Sequence, residues 1–345
     1  MRIFEISPQE FGLLVSSYTF SAGVSSFFGA FILDKYDRRS ILMWVFLGFL
    51  VGTLACALSP NYPFLLFSRI LSGLFGGLTS ALIFAIIGDA IPDSRRGRAM
   101  GLVMAAFSVA SVVGVPFSLF IASISNWHAP FFFLAFLALV ILFLIYRFVP
   151  SIKVPKIEGK AKPSPQQVIR RVTSNSNQMR AIFLTILMML GQFMIIPFLS
   201  PFMVANVGFS ELQLTYIYMA GGFFTVFTSP WVGRLTDKYG KVKIFTIFMS
   251  LNVVPIAIIT HLGPTPILLA LAVSTLLFVT SNGRMVPAAA LITGTAKSEN
   301  RGSFLSFNSA VQQLSAGLAS FFGGMILVEN TDGKLLNFEY IGYNN

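Results

Sequence analysis

Gly233-Arg234-Leu235-Thr236-Asp237-Lys238-Tyr239-Gly240-Lys241-Val242-Lys243 joins two long apolar segments, and a looser copy, Ala30-Phe31-Ile32-Leu33-Asp34-Lys35-Tyr36-Asp37-Arg38-Arg39, stands 203 positions earlier between two others. A charged turn repeated in one register between apolar runs marks a membrane protein built from two homologous halves. Two further matches hold the register. Ser94-Arg95-Arg96-Gly97-Arg98 returns as Glu299-Asn300-Arg301-Gly302-Ser303 at offset 205, and Ser7, an N-cap candidate, matches Ser210 at offset 203.

The composition around these turns is that of a lipid-embedded chain. Of 345 residues, 55% are hydrophobic and 11% charged, with mean hydropathy +0.78, where a soluble domain carries about a quarter charged residues. Apolar stretches close to the roughly 20 residues needed to cross a bilayer recur at 11–33, 41–59, 63–91, 99–123, 129–148, 181–204, 212–232, 244–262, 265–293 and 303–328. All ten are expected to be helices, because lipid offers no partner for open backbone groups.

The net charge of +11 would suggest nucleic acid in a soluble protein, but its placement excludes that reading. Twenty of the 24 Lys and Arg fall in or beside the loops 34–40, 92–98, 147–180, 233–243 and 294–301, and the intervening loops 60–62, 124–128, 205–211 and 263–266 hold none. The positive-inside rule puts the first set in the cytoplasm. The lone Cys56 and the two His, His128 and His261, leave no disulfide and no metal cluster to build on.

Residues 150–180 are the one long polar segment and read as a cytoplasmic linker between an N-terminal bundle, 1–149, and a C-terminal bundle, 181–345. Its basic residues are a solvated charge run or a contact for anionic lipid. The offset predicts a helix before residue 1 and a partner for 129–148 near 333–352, whereas residues 329–345 read as polar. Six helices per half are implied and five are visible.

The chain resembles the major facilitator superfamily over nearly its whole length, most closely the bacterial sugar-exporter-like and drug–proton antiporter efflux branch. The second-half turn fits the family signature at Gly233, Leu235, Asp237, Lys238, Gly240 and Lys241; the first-half copy keeps Asp34, Lys35, Arg38 and Arg39 but has Ala30 and Asp37 where glycines are usual. The resemblance implies an all-α polytopic fold with ten of an expected twelve helices visible. It also implies that Asp34 with Arg38 and Arg39, and Asp237 with Lys241, latch the cytoplasmic side when the protein faces outward. The alternative is that these charges serve topology alone.

Arg69 heads a helical stripe with Ser72, Gly73, Gly76 and Ser80. A charge inside a membrane helix is costly unless it faces protein or water, and small residues suit close helix contact, so Arg69 should point into the bundle. The segment resembles the family's fourth-helix motif, whose arginine is implicated in proton coupling; capping carbonyls or snorkelling outward is the other reading. Gly114-Val115-Pro116 resembles the antiporter motif with the proline one place late. Pro116 should free the carbonyl of Val112 and bend the helix.

Arg284 lies within an apolar span that holds no acid, which invites an anionic or polar ligand, backbone carbonyls, water, or a carboxylate elsewhere. Gln192, Asn252 and Gln313 are further cavity candidates. No catalytic triad, Walker loop or ligand cluster occurs, so neither an enzyme nor a nucleotide-driven pump is expected, and no cofactor is implied. The expected activity is secondary transport of a small molecule by alternating access in the cell (inner) membrane. The chain should act as a monomer among lipids, most simply as a proton-coupled exporter of a drug or sugar-like metabolite. Uptake by symport or uniport, and a non-transporting remnant or receptor, are the alternatives.

Overall fold

A computed structural model describes residues 4–32, 37–91, 110–151, 165–295 and 301–343. Eleven helices longer than eight residues run through them: α1 (Pro8–Ile32), α2 (Arg38–Ala57), α3 (Tyr62–Ala90), α4 (Val115–Ile124), α5 (Ala129–Phe148), α6 (Pro165–Thr173), α7 (Ser176–Phe202), α8 (Glu211–Tyr239), α9 (Lys241–Thr260), α10 (Ile267–Gly294) and α11 (Arg301–Ile326). A two-stranded hairpin, β1 (Val328–Glu329) with β2 (Leu335–Leu336), and a short α12 (Phe338–Tyr343) follow. Apart from that hairpin, the described residues form an all-α fold.

The helix starts are written in local sequence. Ser7 and Glu10 close a capping box ahead of α1, with the Ser7 N–H donating to Glu10 Oε2 at 2.8 Å and the Glu10 N–H donating to Ser7 Oγ at 3.2 Å. Ser210 and Gln213 form the same box before α8, so the matched serines act as matched caps. Asn61 and Asn175 cap α3 and α7 through their side chains. One of the differences between the two copies of the charged turn falls where the second helix begins. Asp37 accepts from the Ser40 N–H at 3.0 Å as the N-cap of α2. Its counterpart Gly240, at φ +94°, is the whole connection between α8 and α9; a side chain there would be strained.

Among the described residues, six helices are long and apolar enough to cross a membrane: those over Pro8–Gly29, Arg38–Ala57, Ala129–Phe148, Ser176–Val207, Lys241–Thr260 and Ile267–Gly294. The expected ten included α3, α8 and α11, which have 29, 29 and 26 residues. In α8 and α11 the apolar run is diluted by Ser, Thr, Gly and Gln, whereas several side chains in the second half of α3 lie outside the described residues. Of the fourth span, residues 99–109 lie outside the described residues, and the rest is a π turn, Ala110–Gly114, leading into α4. The linker also departs from expectation. It contains α6, whose Val172 is buried against Ala181, Ile182, Ile292 and Phe304, and α7 begins at Ser176, five residues earlier than hydropathy alone places it.

Within the first half α3 packs on α1 and α2, and α2 on α5; within the second, α10 packs on α8 and α9, and α12 sits on α9 as α5 sits on α2. The terminal segment is therefore less polar in effect than in composition. Leu335, Phe338 and Ile341 are buried, and Phe338 stacks on Phe202 at 4.2 Å. Most large apolar side chains elsewhere on α5 are exposed, including Phe136, Phe143 and Phe148, which suits a peripheral helix facing lipid.

The two halves meet along α1–α11 and along α4–α8. On the first seam the backbones cross at paired glycines. A Cβ at Gly12 would lie 2.7 Å from Ser320 O, and one at Gly324 would lie 2.7 Å from Pro8 O. Further along, Gly317 faces Thr19 and Phe20, Gly23 faces Leu314, and the rings of Phe27 and Phe307 meet at 6.0 Å.

Candidate transport site

Polar side chains within the spans fall into two groups, those whose hydrogen bonds are used up between helices and those whose are not. In the first group, Thr185 on α7 donates to Asn308 Oδ1 on α11 at 2.7 Å, and Ser229 on α8 donates to Asn282 Oδ1 on α10 at 3.0 Å. Ser200 and Tyr218 share a hydrogen bond of 2.8 Å across α7 and α8. Asn252 on α9 accepts from Thr280 Oγ1 at 2.6 Å and from Ser281 Oγ at 3.0 Å on α10. These neutral bonds stitch the second half together, each worth about 1 kcal/mol net. Asn252 thus lies on the α9–α10 seam.

Arg69, Gln192, Gln313 and Arg284 make up the second group. The Arg69 guanidinium stands 4.6 Å above the Tyr18 ring, half-buried, on the side of α3 where Gly73, Gly76 and Gly77 let α1 approach. The stripe that carries Arg69 does face the bundle, but it divides: Ser72 lies under Gly52 of α2, while the glycines serve α1. Ser80 has no described side chain. Gln192 on α7 has a buried Oε1 without a hydrogen-bond partner among the described residues. Gln313 on α11 is half-buried, and no side-chain hydrogen bond is found for it among the described residues. A cation over an aromatic face gains about 0.5–2 kcal/mol, well short of what a guanidinium loses on leaving water. The Tyr18 ring is the contact found for the Arg69 guanidinium, with no hydrogen bond from its donors among the described residues.

Arg284 is 2% exposed and turns toward α9, where one terminal nitrogen meets Met249 Sδ at 3.5 Å while its Nε has no partner among the described residues.

At the charge-rich end, Asp34 and Lys35 lie outside the described residues. Arg38 is buried, and Arg39 donates to the Tyr146 carbonyl and lies over that residue's ring at 5.3 Å, joining α2 to α5. Ser151 donates to Asp37 at 2.8 Å, strengthening the same junction. In the second half Gly233 is half-buried with open space at its Cα, and Asp237 and Lys238 are exposed. Lys241 donates to the Ala290 carbonyl at 3.1 Å, in the last turns of α10, where a cation is favoured by the helix dipole. The structure does not bring Lys241 and Asp237 together. Gly114 closes the π turn with open space around it, and Pro116 is buried just beyond. The wide turn accommodates the ring that an unbroken α-helix would reject.

Sequence reading missed Tyr18, Thr185, Asn308 and Met249. Each matters only through a partner on another helix, and a single chain pattern carries no signal for that. The run Ser16-Ser17-Tyr18-Thr19, polar within an apolar span, was the one hint for Tyr18.

Two bundles joined along paired seams, with a cation between helices that meets no acid among the described residues, define a multi-pass membrane transporter fold. The sequence profile of the Major Facilitator Superfamily matches residues 1–320, and the chain belongs to that superfamily. It is 25% identical over 240 residues to an uncharacterized transporter of the same type, YceJ of Bacillus subtilis, covering 70% of this chain and 61% of that protein. It is 24% identical over 259 residues to a probable sugar efflux transporter of Helicobacter pylori (strain P12), covering 74% and 63%. The chain thus spans a little over six-tenths of the length of these curated relatives. Among solved structures, a D-xylose–proton symporter superimposes with TM-score 0.73 at 18% identity, over 99% of this chain and 87% of the other. A bacterial homolog of the lysosomal transporter Spinster gives 0.69 at 16%, over 94% and 76%. These similar proteins are transporters, not enzymes.

Proposed function

We propose that the protein moves a small molecule across the cell membrane by alternating access, as a proton-coupled exporter of a drug or sugar-like metabolite. The observation that carries this reading is the Arg69 guanidinium, fixed on Tyr18 without an acid beside it among the described residues. A fixed charge in a low-dielectric cavity interacts over several ångströms with any proton or substrate that enters, so Arg69 is the group through which the two would sense each other. Gln192 and Gln313, with unfilled hydrogen-bonding capacity, would contact the substrate's polar groups. Asp237 would engage the neighbouring helix ends when the cytoplasmic side closes. The probable sugar efflux relative in Helicobacter pylori supports the outward direction.

The test uses everted vesicles containing the chain, acidified inside and challenged with sugars, lipophilic cations and antibiotics. Release of the proton gradient by one compound class, lost with Arg69→Ala while membrane insertion persists, is expected. Proton entry into right-side-out vesicles on adding the same compound would instead establish symport and overturn export. Full activity of Arg69→Ala would remove its assigned role.

A further inference from the structure

We infer that the α9–α10 seam holds a small inorganic anion of the halide class, bound by Arg284 and Asn252, independently of what the protein transports. Arg284 is almost wholly withdrawn from solvent, at 2% exposure. Its Nε lacks any partner, and its contact with Met249 Sδ at 3.5 Å is its one hydrogen bond among the described residues. One turn along the same seam, Asn252 spends its Oδ1 on Thr280 and Ser281, which leaves Nδ2 buried and unpartnered. Met249 and Asn252 are three positions apart on α9, and Ser281 and Arg284 three apart on α10, so the two orphaned donors belong to adjacent layers of one helix pair.

At Arg284 and Asn252 what is left over is a donor, while Ser274 Oγ, two turns before Ser281 on α10, is buried without a partner among the described residues and can donate or accept. Arg carries no acceptor, and an Asn whose oxygen is occupied offers only N–H. The helices α7, α9, α10 and α11 contain no Asp or Glu, and those of α8, Glu211 and Asp237, stand at its two ends. No carboxylate on these helices can therefore reach Arg284, which lies ten residues, about 15 Å, from the end of α10. An uncompensated buried guanidinium is among the costliest groups a fold can hold. The site is also narrow. A Cβ on Gly283 would collide with the Phe248 ring. An anion of one or two heavy atoms satisfies these donors where a bulky one would not.

Full-length protein in detergent would be unfolded thermally in sodium bromide and in sodium gluconate at equal ionic strength, and binding of radiolabelled chloride measured directly. The expected result is a midpoint higher by about 2–4 °C in bromide, saturating with concentration, and a single chloride site per chain. Arg284→Gln should lose both. Arg284→Met, which removes the charge but keeps the packing, should fold, bind no chloride and unfold identically in the two salts. Equal midpoints for the parent protein, or chloride binding retained by Arg284→Met, would overturn the assignment. So would stabilisation by formate or acetate without any by halide, which would point to a carboxylate ligand. Chloride binding is read without transport, so its failure leaves the export reading standing, and the reverse holds too.

Discussion

Replacing Gly12 by valine tests whether the glycine crossing of α1 and α11 governs the motion between the halves. The added Cβ would sit 2.7 Å from the Ser320 carbonyl oxygen and 3.1 Å from Gly324 Cα. Carbon–oxygen contacts settle at about 3.3 Å or more, so the helices must part by about 0.6 Å before the two methyls of valine are accommodated. Neither obstacle is a side chain that could swing away, and overpacking of this kind costs about 1–3 kcal/mol. If the strain falls on the conformation in which the crossing is closed and is relieved when the halves rock apart there, the equilibrium moves by about 5- to 150-fold. Ser16, one turn further along the same face and 0% exposed, is the reporter. In a Cys56→Ser background, Ser16→Cys would be labelled with a membrane-impermeant maleimide applied to intact cells. Gly12→Val should raise the labelling rate several-fold or more. A rate within about twofold of the parent, less than even the smallest shift such overpacking produces, would show that the crossing does not hold that end shut.

The same labelling assay addresses the charged turn. Asp237→Asn should lower labelling of the Ser16 reporter by reducing the outward-facing population, while leaving the thermal midpoint unchanged, because Asp237 is exposed in this conformation; labelling equal to the parent's would count against a latch. Gly240→Ala, at φ +94°, should destabilise the protein by about 1 kcal/mol. Gly114→Ala, with helical backbone angles and nothing within 4 Å of the added carbon, should be neutral or slightly stabilising by thermal melt. Equal midpoints for the two variants would refute the distinction.

By itself the sequence determined what local and periodic signals can carry. The 203-residue register, the apolar spans, the alternation of charged loops and the capping serines at 7 and 210 all act within a few residues along the chain, or through bulk preference for lipid, and all are legible without a fold. The stripe from Arg69 through Gly76 is also legible, because helical periodicity fixes which residues share a face. What that face meets is not. Tyr18 lies 51 positions before Arg69, and only the crossing of α1 and α3 stacks its ring under the guanidinium. Asn252 reads equally well as a cavity ligand or as a bridge between helices, and the choice rests on whether Thr280 and Ser281 turn toward it. The resemblance pairs Lys241 with Asp237 when the protein faces outward; in this structure the single-residue turn at Gly240 delivers Lys241 to the end of α10. Composition likewise hid the terminal segment: its few apolar residues, Leu335, Phe338 and Ile341, are too sparse to register as hydropathy, yet all three are buried. Azimuth, depth and crossing angle are properties of helix pairs, so the tertiary structure alone decided which polar residues were consumed in holding the bundle and which were left with bonds to offer.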